Sequence, residues 1–422
     1  MNPTFKTPNI YQRVADTLNG KNPERIPFID RLELWYTAHR RAGTLPEELK
    51  YLTHSPDSHS IQSICPNKKG DREIGLTEVH RAVGMGQELM VPAFKRKLWG
   101  VDLTITLNGQ PYYQEKDPVL EDFPRLYDVI PADMPGITCA EFVTPRGKLT
   151  TRNRLLPEMI EAGTIPYMDE HILKSQNDYM AFFYIIEQSE FVPLFQSIEE
   201  KQREMGDIGF VVPMMSRSPF QQILINCVGE VSLFHALHDS PGYVEKLLAL
   251  LDEQYMEDIR NLAELDWPYV EFDDNLDGIM TNPRLFEKYS LPYYQKYTDL
   301  LHAQSKKVGS HTDGNIKPLL DLLPQSGLDV CESFTPFPVT ECTFAEALSA
   351  WKNEGPIIWG GIPSPLLEAR TSEEEFRRFI DHVFETIRGQ PIILGVGDMV
   401  MGNNLIDRVR YVADCVEKHI NA

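Results

Sequence analysis

The sequence predicts an α/β protein built as a (β/α)8 (TIM) barrel, with an antiparallel insertion in its N-terminal half. Three observations lead there. From residue 208 onward, short β-rich runs ending in polar residues recur with helical stretches between them. An early run near residue 26 has the same form. The alternation spans most of a chain of 422 residues, long enough to bury one large core.

In chain order, the first run is ERIPFID, followed by a helix-like stretch around ELWYTAHRRAG. Residues 88–155 break the pattern, because NGQ and PRGK sit between alternating runs as hairpin turns do. This span is expected to be an antiparallel insertion within a barrel domain covering 1–422. The later runs are DIGFVVPMMSR, WPYVEFDDN, KKVGSHTDG, LDVCESF, PIIWGGIP and PIILGVGD. Between the first and second of these, Ser240 can cap and Pro241 can open a long amphipathic helix. A further helix, IKPLLDLLPQSG, is expected after KKVGSHTDG. A doubly wound open sheet fits the same alternation, but one barrel with an insertion fits it better than two separate domains.

A net charge of -21 repels phosphate backbones and anionic lipid, which argues against nucleic acid or a membrane surface as partner. The opening MNPTFKTPNIYQRVADTLNG lacks a basic segment followed by an apolar one, and no apolar run reaches membrane-spanning length, so a cytoplasmic protein is expected. The six cysteines, Cys65, Cys139, Cys227, Cys331, Cys342 and Cys415, contain no CxxC pair and are expected to be mostly small buried hydrophobes. No GxGxxG or Walker pattern follows a strand, so nucleotide cofactors are unsupported.

Strands of a barrel share one C-terminal mouth, and these strand ends carry Glu33, Arg217, Asp273, Asp274, His311, Asp313, Glu332 and Asp398. His311 and Asp313 are two apart, so they face the same way. Taken singly, each such residue reads as a helix cap or a solvated charge. Their convergence from several strands is what points to a site. Cys331 neighbours Glu332 in one strand and is expected on the opposite face. Trp35 and Tyr36 are candidate pocket walls.

Several motifs resemble the uroporphyrinogen decarboxylase superfamily: GKNPERIPF, DDNLDGIMTNPRLFEKYSLPYYQ, HTDGNIKPLLDLLPQSGLDVCESFTP, WGGIPSPLL and ILGVGD. Within it, the HTDGN to ESFTP segment is similar to the corrinoid-dependent branch that contains the first methyltransferase of anaerobic aryl methyl ether O-demethylases. The decarboxylases carry RQAGR where this chain reads RLELWYTAHRRAG, and GHG where it reads GVGD with Val396 in place of histidine. Porphyrinogen decarboxylation is therefore not expected. In the related thiol methyltransferases zinc is held by His-x-Cys and a later cysteine; here His311 matches the histidine, while Asp313 and Asp398 stand at or near the cysteine positions.

The resemblance implies transfer of a methyl group from an O-methyl substrate, a methoxylated aromatic, to the Co(I) of a separate corrinoid protein. Two devices would activate the ether oxygen, a zinc ion on His311, Glu332 and Asp398 or a protonated carboxylic acid, with Asp313 the donor beside His311 if the other three hold the metal; the sequence allows these roles to be exchanged. Glu33, Trp35, Tyr36, Arg217, Asp273 and Asp274 would then surround the substrate. The runner-up readings are methyl transfer from a methylcorrinoid to an acceptor, a decarboxylase or lyase acting on a non-porphyrin acid, and a catalytically silent binding barrel.

Overall fold

The computed structural model describes residues 9–22, 24–50, 76–351 and 354–419. Eight parallel strands follow one another around a barrel: β1 (Ile29–Asp30), β2 (Gly86–Pro92), β3 (Gly209–Met215), β4 (Tyr269–Phe272), β5 (Lys307–His311), β6 (Val330–Phe334), β7 (Ile357–Ile362) and β8 (Ile393–Val396). A parallel bridge between Phe28 and Leu394 closes the ring, helped by the Leu394 amide on the Pro27 carbonyl at 2.9 Å. The expected architecture is the observed one, and every quoted β-rich run contains a barrel strand.

The helices between strands follow from local sequence. Pro241–Asn261 begins with proline, whose missing N–H costs nothing in a first turn. It buries Val244, Leu247, Leu248, Leu251, Tyr255 and Ile259 at helical spacing. Glu33–Ala42 stops at Gly43, which takes a left-handed φ of 67°. The segment after β5 differs from expectation: in place of a helix there are two short 3-10 turns, Lys317–Leu319 and Leu323–Ser326. Pro318 and Pro324 each remove a backbone donor and confine the chain to single turns.

The insertion is antiparallel throughout, but its limits differ from the expected 88–155. Gly86–Pro92 belongs to the barrel, pairing with β1 and β3, and the antiparallel strands run from Phe94 to Pro193. They form a five-stranded and a three-stranded sheet. The Asn108–Gly109 turn has positive φ at both residues, as NGQ requires. Leu103, Ile105, Phe142 and Phe182 form part of a second core under this cover.

Inside the barrel, Phe210, Tyr269 and Trp359 pack ring against ring with centroids 6.0 to 6.4 Å apart. All three are fully buried and dry the space on which the polar layer rests. Of the cysteines, Cys227, Cys331 and Cys342 are buried and Cys139 is exposed; Cys65 lies outside the described residues. Among the described residues no helix is long and apolar enough to cross a membrane.

Candidate active site

Pairing of β5 with β6 places His311 directly opposite Glu332, so the two side chains run alongside each other. His311 Nδ1 lies 2.5 Å from Glu332 Oε2. A register shift follows between Cys331 and Phe334, where Ser333 takes a φ of 61°. Gly360 on β7 faces this irregularity, and a Cβ there would sit 2.7 Å from the Phe334 carbonyl oxygen. Such bulges re-aim side chains near barrel rims.

Two further glutamates join this layer from alternate strands, Glu88 on β2 and Glu271 on β4. Tyr269 donates to Glu271 Oε2 at 2.5 Å, and its hydroxyl occupies the space that a side chain at Gly309 would fill. Glu88, Glu271 and Glu332 are at most 1% exposed, and among the described residues Oε1 of both Glu88 and Glu271 has no hydrogen-bond partner. Burial raises the carboxyl of Glu332 to about 8. Burial first, and the charge of Glu332 next, lift Glu88 and Glu271 well above the ordinary glutamate range. Arg31 is the buried cation among them.

The other edge of the imidazole faces a cavity of about 440 Å³, whose lining includes His311, Asp313 and Asp398. His311 Nε2 lies 3.9 Å from Asp313 Oδ2 and 3.9 Å from Asp398 Oδ1, beyond hydrogen-bond length. Each of the three is oriented by a partner: His311 by Glu332, Asp313 by the Asn275 amide at 2.9 Å, and Asp398 by Arg31 at 3.0 Å. Arg31 also holds the Asp398 carbonyl at 2.6 Å, and Asp398 has a left-handed φ of 67°, uncommon for a residue with a side chain.

These groups offer a cation two places. Ligand atoms of Glu271, His311 and Glu332 lie within 4.8 Å of one another in the buried layer. On the cavity side, His311 Nε2 faces the carboxylates of Asp313 and Asp398. The expected set of His311, Glu332 and Asp398 is split by the ring, with Glu332 at one nitrogen and Asp398 toward the other. One ion cannot take all three in this arrangement. Buried carboxylate oxygens without donors are what a cation-binding layer presents to its ion, and a His and carboxylate set suits zinc or a harder divalent ion.

The remaining predicted residues divide. Arg217 and Asp273 line the cavity; burial works against the charge of Asp273, yet Arg217 and Arg125 hold its carboxyl below the usual range. Asp274 turns away and is a structural clamp, accepting from the Ser218 amide at 2.7 Å and the Tyr294 hydroxyl at 2.5 Å. Asp274→Ala is expected to lower unfolding free energy by ~1 to 3 kcal/mol, read from urea denaturation, since it strands the buried donors of Ser218, Tyr294 and Ser310. Trp35 and Tyr36 are core residues, Trp35 donating to the Asn404 carbonyl at 3.0 Å, and it is Leu34 beside them that lines the cavity. Glu33 is buried, its Oε2 has no partner among the described residues, and burial raises its carboxyl.

A family model for uroporphyrinogen decarboxylase matches residues 158–419, the stretch that supplies β3 to β8 and with them His311, Asp313, Glu332 and Asp398. The chain belongs to the uroporphyrinogen decarboxylase family. Among curated protein sequences none matches it. Among solved structures, a methyltransferase from Methanosarcina mazei aligns with a TM-score of 0.57 and 11% identity over 97% of this chain and 98% of that one, a likeness of fold. A Bacteroidetes-affiliated cellulase aligns with a TM-score of 0.35 and 11% identity over 53% of this chain and 75% of that one, and carries no weight.

For a member of the uroporphyrinogen decarboxylase family, the site contains residues that strand-end reading missed. Glu271 was visible as an ionisable residue inside the apolar run of WPYVEFDDN, two before Asp273 and so on its face. Glu88 lies in a barrel strand that the alternation alone assigns to the insertion. Arg31, Asn275 and Arg125 act on the named acids from neighbouring loops, and no local pattern marks such partners.

Proposed function

We propose that the protein is a methyltransferase that takes a methyl group from an O-methyl substrate, a methoxylated aromatic, and delivers it to the Co(I) of a separate corrinoid protein. Family membership and the methyltransferase of like fold support the reaction class. The observation that carries the reading is the trio of His311, Asp313 and Asp398 at the cavity, each with its own orienting partner. Metal ligands are commonly held this way, and the loss of such a partner costs ~10- to 100-fold in metal affinity or activity.

His311 Nε2, Asp313 and Asp398 would hold zinc on the cavity side. Bound there, the ion supplies Lewis acidity toward the ether oxygen, on which negative charge develops as the methyl group leaves. Glu332 fixes the imidazole so that Nε2 faces the cavity, and Arg31 fixes Asp398. The apolar walls, among them Phe123, Phe191 and Met215, take an aromatic ring and exclude water from it. The nucleophile is the partner's cobalt, so the chain needs none of its own.

Asp313 reads as a ligand better than as a proton donor, because its carboxylate faces His311 Nε2 and is oriented there by the Asn275 amide, as metal-ligating carboxylates are. The two roles give different outcomes for Asp313→Asn. As a ligand, the variant loses bound metal and slows with every substituted anisole by a similar factor. As a proton donor, it keeps the metal and recovers when the leaving phenol is acidic.

The whole reading is tested by mixing the protein with a reduced corrinoid protein and a panel of methoxyarenes, and following the methylcob(III)alamin spectrum. No spectral change with any O-methyl donor sinks it. If instead methylcorrinoid is consumed when phenols are added, the enzyme runs toward an acceptor.

A further inference from the structure

Arg217 lines the cavity, yet its charge is used on the protein. It follows β3, and only 4% of its side chain is exposed. Nη1 donates to the Asp273 carbonyl and, at 2.6 Å, to Asn275 Oδ1, while Nη2 lies 3.5 Å from Asp273 Oδ2. Nε is buried and has no acceptor among the described residues. The donors of this guanidinium are directed into the loop that follows β4.

Asn275 sits in that loop, which is tied to β5 because the Leu276 amide donates to the His311 carbonyl at 3.1 Å. A guanidinium has no acceptor, so the end of the Asn275 amide that meets Arg217 is the oxygen. The NH2 is the end that meets Asp313, and it donates to Asp313 Oδ2 at 2.9 Å. That same Oδ2 lies 3.9 Å from His311 Nε2. Arg217 therefore acts on the carboxylate oxygen beside His311 through one amide.

With both ends engaged, the amide is a spacer of fixed length between an anchored guanidinium and Asp313. Asp273 supplies the anchor through its carbonyl and its carboxylate, and Arg125 on the insertion shares that carboxylate at 3.1 Å. Held at one end only, Asn275 is half-buried in a loop, where water can serve its NH2 as well as Asp313 does. We propose that Arg217 is a positioning residue for the metal centre: by anchoring the Asn275 amide, it presents Asp313 Oδ2 to a cation at His311 Nε2. The proposal rests on the reading of His311, Asp313 and Asp398 as the metal site, and gives Arg217 a role in metal binding in place of the expected substrate contact.

Zinc affinity of the metal-free protein, measured by competition with a chromophoric chelator and with no arene or corrinoid protein present, tests this apart from catalysis. Asn275→Leu should weaken zinc binding by ~10-fold or more, and Arg217→Met by at least ~5-fold, as loss of groups that orient a ligand does. Charge alone predicts the opposite sign for Arg217→Met, since taking a cation away from a metal site tightens zinc binding. The double variant should bind zinc no more weakly than Asn275→Leu, because Arg217 has nothing to anchor once the amide is gone. A double variant whose loss is the product of the two single losses overturns the proposal, as does an Arg217→Met affinity within ~2-fold of wild type or tighter. A substrate-holding role gives that last result together with weaker methoxyarene binding, and a purely structural one gives it with a lowered melting temperature. Asn275→Leu leaves the pairing of Arg217 with Asp273 in place and carries the test if Arg217→Met does not fold; unchanged zinc affinity there overturns the proposal. Wild-type protein that binds no zinc overturns it together with the metal-site reading. The expected pattern of affinities without methyl transfer to any corrinoid upholds it and overturns the proposed reaction alone.

Discussion

His311→Ala is expected to abolish methyl transfer, with a rate loss of at least ~100-fold, since removing one electrostatic contact to a developing oxyanion costs ~2.7 to 4 kcal/mol. The loss should be uniform across substituted anisoles, because the imidazole acts on whatever ether oxygen occupies the site. Bound metal should fall with it. The fold should survive, and the reason is in the acid layer. Glu332 loses its partner at Nδ1, but burial already raises its carboxyl to about 8, so near neutrality it can stay protonated and avoid an unpaired buried charge. Glu332→Gln gives the complementary result, a smaller loss of ~10- to 100-fold, because the imidazole stays in place but loses its orienting carboxyl group. The competing account is that His311 only braces the end of β5. It requires a lowered melting temperature with unchanged metal content, so thermal unfolding and elemental analysis of the same samples decide.

How far the sequence reveals this site depends on what each residue interacts with. His311, Asp313 and Asp398 stand at strand ends, where polarity changes along the chain, and the cavity brings them together as strand phasing implies. Asp274 stands at the same kind of end as Asp273, yet it serves Ser218 and Tyr294. Adjacent strand residues face opposite ways, so the alternation that turns Cys331 from Glu332 also sends Asp274 to the clamp while Asp273 keeps the cavity. Trp35 and Tyr36 show the helical counterpart: adjacent residues point about 100° apart, and Leu34 takes the cavity face. β2 escapes sequence reading because GQELMVP runs directly into the alternating strands of the insertion with only Ala93 between. With β2 goes Glu88. The barrel itself is legible because seven of its strands are bounded by helices or turns, and most of them, though not Ile357–Ile362, run into polar residues at their ends.

Protein stripped of metal by a chelator is expected to lose stability as pH rises, and added zinc should restore more stability at high pH than at low. The direction follows from the buried glutamates. Glu332 titrates near 8 when folded against an ordinary value of 4.5, and Glu88 and Glu271 are raised in the same direction, burial being the first cause for all three. A carboxyl raised on folding binds its proton more tightly in the folded state. Its stabilisation is therefore complete below about 4.5 and is lost as pH climbs through the folded value near 8. The effect over that window is on the order of a few kcal/mol, since each tenfold gain in proton affinity on folding is worth ~1.4 kcal/mol. Asp273 has the opposite sign, but its lowered carboxyl matters only as pH falls below the ordinary 3.8, outside the window. A divalent cation at the cavity edge of His311 changes the balance, because its charge favours the ionised form of the glutamates behind the imidazole, which the stripped protein must keep neutral. Its binding competes with protons and so strengthens with pH. Melting temperatures from about pH 5 to pH 9, with chelator and with zinc, should diverge steadily. Parallel curves would remove the cation from this acid layer and its cavity edge, and a stripped protein that grows more stable through pH 8 would show that the glutamates are ionised and paired without it.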